Sequence, residues 1–171
     1  MGGSTAGGMM QHNLWKLQPI AADVVYTPEW VAVDIINWCE PSGVCLDPCA
    51  GDFVFYNNLP SPKHWCEIER GRDFFDHNDE YDWIVGNPPY SIFENWLIQS
   101  FMIADNVVYL VPTNKVFQRH KIMSIIKSYG GIYGMRVYGS GQKIGLPFGF
   151  SVAAFHFQRE WNGRTDIGFV I

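Results

Sequence analysis

Apolar positions along the chain switch between short continuous runs and a spacing of three to four residues. The runs VCLD (44–47), HWCEI (64–68), DWIVGN (82–87) and NVVYLVP (106–112) predict strands. Two later runs, GIYGMRVY (131–138) and FSVAAFHFQ (150–158), predict two more, joined by a glycine-rich loop at 139–149. Helical spacing fills the gaps. A first helix follows Thr27 as N-cap, with Pro28 in its first position and Pro41 and Gly43 stopping it. A second covers 91–104, where Ser91 would cap and Glu94 would reach back to it. A third, basic and amphipathic, covers 114–128, with Ile122, Met123, Ile125 and Ile126 toward the sheet. Strands alternating with helices imply an α/β fold with a mostly parallel sheet. Ligands of such sheets bind beyond the carboxyl ends of the strands.

Composition narrows the class. Hydrophobic residues make up 47% of the 171 and aromatics 16%, which suits a packed core and excludes disorder as the main state. No apolar run reaches membrane-spanning length, and no apolar leader opens the chain, so a cytoplasmic protein without membrane association is expected. The opening MGGSTAGGMMQHN predicts a flexible arm over 1–18, ahead of one domain over 19–171. Cys39, Cys45, Cys49 and Cys66 lie in or beside apolar segments without zinc-ligand spacing, which reads as free thiols and no metal.

Charge is unevenly distributed. Residues 1–105 hold fifteen acids and four bases, whereas 106–159 hold seven bases and no acid. Lys115, Arg119, Lys121, Lys127 and Lys143 belong to this basic half. It reads either as solvated helix faces or as a surface facing phosphates.

Residues 82–97, DWIVGNPPYSIFENWL, carry the sharpest chemical signal. A strand runs into two consecutive prolines and then a helix. The Asn87 amide oxygen and the Pro88 carbonyl can together accept both N–H bonds of one exocyclic amino group. Pro88 and Pro89 fix the backbone, so the acceptors are preorganised. Tyr90 offers a ring for stacking a planar base. The bland alternative is a proline turn that ends a strand. Upstream, Asp47-Pro48-Cys49-Ala50-Gly51 closes the first strand in a small-residue turn, where Asp47 could meet a cationic amine. Glu67 follows at the tip of the next strand, where an acid suits a ribose diol. Asp73 and Phe74 then supply an acceptor and an apolar face for an adenine. Each of these alone also reads as a solvated acid or a core phenylalanine.

In this order the residues resemble the S-adenosylmethionine-dependent amino-methyltransferases, most nearly the small phage or bacterial N6-adenine DNA methyltransferases. The resemblance runs from about Tyr26 to Gln158. It implies a Rossmann-like methyltransferase fold with helices on both faces of the sheet and an antiparallel last strand. It implies S-adenosylmethionine as cofactor, with Thr27 and Pro28 at its methionine end. The first cofactor motif would be Asp47 to Gly51 with Phe53 and Phe55. Glu67 would hold the ribose, and Asp73 and Phe74 the adenine. Asn87, Pro88, Pro89 and Tyr90 form the catalytic motif, which is shared with RNA adenine, RNA guanine and protein glutamine methyltransferases. Asn87 also touches the cofactor. A flipped-out adenine, in DNA rather than RNA, would be the substrate, with Lys115, Arg119 and Lys143 on phosphates. A bacterial or phage-infected cell is the implied setting. Two departures stand out. Phe53 replaces a second glycine of the cofactor turn and would either crowd the cofactor or close over it. There is also no sizeable target-recognition region. Recognition then falls to the 139–149 loop, a homodimer or another partner chain, or is lax. The alternatives are an RNA N6-adenine or protein glutamine methyltransferase, or a non-catalytic nucleic-acid-binding subunit that keeps the pocket as scaffold.

Overall fold

The computed structural model describes residues 24–170; the expected arm over 1–18 lies outside them. The elements in chain order are α1 (Glu29–Cys39), β1 (Cys45–Asp47), α2 (Val54–Asn58), β2 (Lys63–Trp65), β3 (Tyr81–Gly86), α3 (Phe93–Ile103), β4 (Ala104–Pro112), α4 (Thr113–Phe117), α5 (His120–Tyr129), β5 (Gly130–Ser140), β6 (Ser151–Arg159) and β7 (Asp166–Phe169). The strands form one sheet in the order β2-β1-β3-β4-β6-β5-β7. Every neighbouring pair is parallel except the two made by β6, which is antiparallel to both β4 and β5.

Period-two alternation explains why the sheet is covered on both faces. Val107, Tyr109 and Val111 of β4 join Ile84, Phe155 and Phe157 in one core, under Trp96, Leu97 and Phe101 of α3 and Ile122 and Ile126 of α5. Val108 and Leu110 join Val85, Val152 and Ala154 in the other, under Val31, Ile35 and Ile36 of α1. A one-residue slip of β4 would exchange the two sets, so the register is strongly specified. No helix among the described residues is long and apolar enough to cross a membrane.

Besides the short helix α2, which the sequence pattern does not predict, the elements depart from the sequence expectations in five places. Pro28, not Thr27, flanks α1, because the buried Thr27 hydroxyl accepts from the Asn87 amide at 3.2 Å. The second strand ends at Trp65. Glu67 and Arg72 exchange backbone hydrogen bonds of 2.9 and 3.1 Å and turn the chain back. A 3-10 turn, Tyr90–Ile92, precedes α3, so Ile92 rather than Ser91 is the flanking residue, and Glu94 pairs with Lys121 at 2.5 Å. The basic helix over 114–128 is two helices, with Arg119 extended at φ −113°, ψ 120°. On one continuous helix Val116 and Ile122 would stand about 120° apart. The break lets both become buried, and Met123 turns outward at 40% exposure.

The fifth difference is β7, an added strand at the sheet edge. The chain leaving β6 crosses the start of β5 to reach it. Gly131 permits the crossing, since a Cβ there would lie 2.9 Å from the Trp161 carbonyl oxygen.

Candidate active site

The carboxyl ends of β1, β2 and β3 open into a cleft of about 810 Å³. Asp47 lies beneath its floor and holds the turn that forms it. This carboxylate is buried, and accepts from Cys49 N at 3.2 Å and Tyr56 N at 3.0 Å. It therefore holds the turn and the start of α2 rather than meeting a cationic amine. Burial pushes its pKa up to about 7, against the opposing pull of the two backbone donors. Around it the chain is pinned by Ala50 N to the Cys66 carbonyl (2.8 Å) and Cys66 N to the Asp47 carbonyl (2.9 Å).

Glu67 closes one wall. Its Oε2 accepts from Gly51 N at 2.7 Å, and its Oε1 from Glu69 N at 3.2 Å. Both oxygens are thus oriented by backbone donors, and the residue still lines the cleft. Asp73 Oδ1 accepts from Phe75 N at 2.9 Å. The adjacent Phe74 is buried, with its ring 4.6 Å from that of Trp96. Asp73, Phe74 and Trp96 make the apolar end of the cleft with one carboxylate at its rim.

Asn87 enters from β3. Its Nδ2 donates to the Val25 carbonyl at 3.0 Å and to Thr27 Oγ1, and its Oδ1 accepts from the Tyr90 hydroxyl at 2.8 Å. The amide is thereby oriented, with its oxygen toward Tyr90. The Cys49 thiol donates to the Asn87 carbonyl at 3.1 Å, tying this turn to the one after β1. Burial drives the Cys49 pKa well up, so this group stays a neutral donor.

The expected residues divide as follows. Thr27, Pro48, Cys49, Ala50, Gly51, Phe55, Glu67, Asp73, Phe74, Asn87 and Pro89 line the cleft together. Pro28 lines a groove of about 500 Å³ that shares Tyr26, Thr27, Asp52 and Val54 with it. Asp47, Pro88, Tyr90 and Phe53 are outside the lining. The Phe53 ring lies beside the cleft, outside its lining. Its ring packs edge to face on Trp65 at 5.1 Å, and the Arg70 guanidinium stands over it at 4.8 Å. Its backbone sits at φ +68°, the left-handed region that favours glycine at such a turn.

Tyr26, Arg70, Phe75 and Trp96 also line the cleft and escaped the sequence reading. Only the aromatic spacing Phe74, Phe75, Trp96 was a signal, and it reads equally as core. The lining holds Asp52, Glu67, Glu69 and Asp73 against the single guanidinium of Arg70, a balance that favours a cationic ligand. Among the described residues no cluster of His, Cys, Asp and Glu could hold a metal ion, and all four cysteines are free thiols.

The basic half is less exposed to partners than its composition suggests. Lys121 pairs with Glu94, Arg136 with Asp34 and Arg159 with Asp105. Lys115, Arg119, Lys127 and Lys143 have no such partner among the described residues. Lys127 lies near the end of α5, where the Tyr129 hydroxyl donates to Asp105 at the start of β4, so it is at the edge opposite the cleft.

The superposition on solved structures agrees with this topology. A protein from Listeria monocytogenes described as a class I S-adenosylmethionine-dependent methyltransferase matches with a TM-score of 0.61 at 10% identity, over 84% of this chain and 65% of that chain. The chain has the fold of the S-adenosylmethionine-dependent methyltransferases. A type I restriction–modification methyltransferase subunit from Streptococcus thermophilus also gives 0.61, at 13% identity, over 85% of this chain and 47% of that chain. A protein from Pyrococcus horikoshii described as an RNA methyltransferase gives 0.55 at 14% identity, over 85% and 88%. The chain spans about half the length of the restriction–modification subunits that it matches. No family model matches the sequence, and neither does any curated protein.

Proposed function

We propose that this chain is a methyltransferase that uses S-adenosylmethionine to methylate the exocyclic N6 amino group of an adenine in DNA, taken out of its stack. The observation that carries the reading is the convergence of the Asn87–Tyr90 turn with an acid-lined cleft at the ends of β1, β2 and β3. The lining fits the cofactor in charge and shape: four carboxylates against one guanidinium suit a sulfonium and an ammonium, and Phe74 gives an adenine an apolar face. When bound, the cofactor supplies an electrophilic methyl group. Glu67 would accept from the ribose hydroxyls, with its oxygens already oriented by Gly51 and Glu69. Asp73 would accept from the cofactor's adenine amino group.

The chain's part in the reaction is to hold the target amine. Asn87 Oδ1 and the Pro88 carbonyl would accept its two N–H bonds, leaving the nitrogen lone pair free to attack. Tyr90 would stack on the base and orient Asn87 through the 2.8 Å bond. Preorganisation of these acceptors and exclusion of water supply the rate effect. DNA is favoured by the likeness to subunits named as parts of type I restriction–modification systems. By the same likeness, a second copy or another chain would supply target recognition.

The test separates binding from transfer. Calorimetry should show S-adenosylmethionine binding in the wild type, and labelled methyl should pass to a DNA pool in preference to an RNA pool. A chain that binds the cofactor but labels neither pool would be a scaffold or would act on protein.

A further inference from the structure

Beyond the cleft, Phe148 and Phe150 form a stacked pair, with ring centroids 4.4 Å apart and planes 15° from parallel. Phe148 in turn meets Tyr90 edge to face at 6.0 Å. Phe148 is half-buried, whereas Phe150 is 53% exposed. The exposed ring is not on a loose tip. The Phe150 carbonyl accepts from Gly141 N, and the Gly141 carbonyl accepts from Leu146 N, each at 3.0 Å. Gly141 makes room for the pair, since a Cβ there would lie 2.9 Å from the Phe148 ring. The next residue, Ser151, accepts from the Thr113 hydroxyl at 3.4 Å, which ties the platform to the first turn of α4.

Charge points to the occupant. Lys143 belongs to the 3-10 turn Gly141–Ile144 that holds Phe150 in place, and Lys115 lies on the helix that Thr113 begins. Neither has an ion-pair partner among the described residues. A rigid, half-exposed aromatic ring whose two supporting elements each carry an unpaired lysine suits a nucleobase with its backbone phosphates. An apolar protein partner would use the ring but would leave the two lysines without a role.

We propose that Phe150 is a stacking platform for the nucleotide next to the target adenine, on a single strand or a locally opened duplex. This rests on the methyltransferase reading for its direction of approach. Tyr90 receives the target base, and the Phe148–Phe150 pair, set edge to face against Tyr90, presents a second ring surface to the neighbouring base.

The test uses the full chain and a short, fluorescein-labelled single-stranded DNA containing one adenine, with binding read by anisotropy. Phe150→Ala should weaken binding by about tenfold or more. Phe150→Leu should fail to restore it and Phe150→Trp should restore it. The affinity for S-adenosylmethionine and the thermal midpoint should be the same in all variants. Wild-type affinity in Phe150→Ala, or full rescue by leucine, would overturn the platform. So would a variant whose only change is in self-association measured by sedimentation, which would mark a protein-docking surface. The two readings fail separately. A wild type that binds the cofactor but no oligonucleotide sinks the platform alone. A wild type that binds the oligonucleotide through Phe150 but not the cofactor sinks the methyltransferase reading and leaves the platform.

Discussion

The Phe53 ring stands 5.1 Å from the Trp65 ring, edge to face, while the Phe53 backbone is held at φ +68°. A bulky side chain thus occupies a left-handed position, which costs about 1–2 kcal/mol. Contacts with Trp65, Tyr56 and Arg70 offset that cost.

Replacing Phe53 therefore tests stability and not affinity. Phe53→Gly loses the ring and relieves the backbone, for a net loss of about 1 kcal/mol. Phe53→Ala loses the ring and keeps the strain, so it should be the less stable of the two. Denaturant unfolding ranks them. S-adenosylmethionine affinity should stay near wild type in both, because the ring is not part of the cleft lining. A large change in affinity would show that the ring reaches the cofactor.

Glu67 offers the reverse case. Glu67→Ala should weaken cofactor binding by roughly ten- to hundredfold, the worth of hydrogen bonds to a charged group at about 1.5–3 kcal/mol. It also strips Gly51 N of its acceptor. Glu67→Gln keeps an acceptor for Gly51 and should lose less. Calorimetry that finds equal affinity for all three proteins would place the ribose elsewhere.

Two buried groups give stability opposite slopes with pH. His156 is enclosed by Trp38, Trp83 and Tyr133, with Asn106 Oδ1 at 3.0 Å from its Nε2. Burial lowers its pKa from 6.5 to about 4. Between those values the unfolded chain binds the extra proton. Stability is therefore full above pH 6.5 and falls as pH drops toward 4, by at most about 3 kcal/mol. Asp47 acts the other way. Its carboxyl is raised from 3.8 to about 7, so its contribution is full below pH 3.8 and is lost as pH rises toward 7. His156→Gln should remove the acid-side loss and leave the Asp47 slope. Urea midpoints at pH 4.5 and 7 measure this: the variant should gain on wild type at the lower pH. A constant difference across that range would mean that His156 titrates normally.

How much of this was legible depends on where the determining contacts lie in the chain. The double-proline turn after β3 could be read because its signal is contiguous, and β4 because it is covered on both faces and so is apolar at each position from Val107 to Pro112. The split between α4 and α5 could not, since it follows from burying Val116 and Ile122 against one sheet, a tertiary demand that overrides local helical pattern. Asp47 was legible as a strand-end acid. That its oxygens face Cys49 N and Tyr56 N depends on a turn conformation that no residue type dictates. Tyr26 and Trp96 reach the cleft from segments seventy residues apart. β7 carries exposed Ile167 and Phe169 at a sheet edge, so it has no buried face to leave a pattern.

On the proposed function, the unpaired cations would set the salt dependence of nucleic-acid binding. Lys115→Ala, Arg119→Ala and Lys143→Ala should each lower the salt slope by roughly one. Lys127→Ala should leave it unchanged, because that residue lies at the opposite edge, and Lys121→Ala should too, because Glu94 already holds its ammonium. Equal effects at all five positions would mean a diffuse positive field instead of a docking face.

The most direct measurement is the identity of the methylated atom. The wild-type chain and Asn87→Ala are incubated with isotopically labelled S-adenosylmethionine and adenine-containing DNA, and the digested nucleosides are resolved by mass spectrometry. Asn87→Ala removes one amine acceptor and the partner of the Tyr90 hydroxyl, and leaves Glu67, Asp73 and Phe74 in place. The methyltransferase reading predicts labelled N6-methyldeoxyadenosine from the wild type. From the variant it predicts a loss of at least a hundredfold, on the order of the cost of removing one transition-state hydrogen bond. Label on any other atom, or equal label from both proteins, would contradict it.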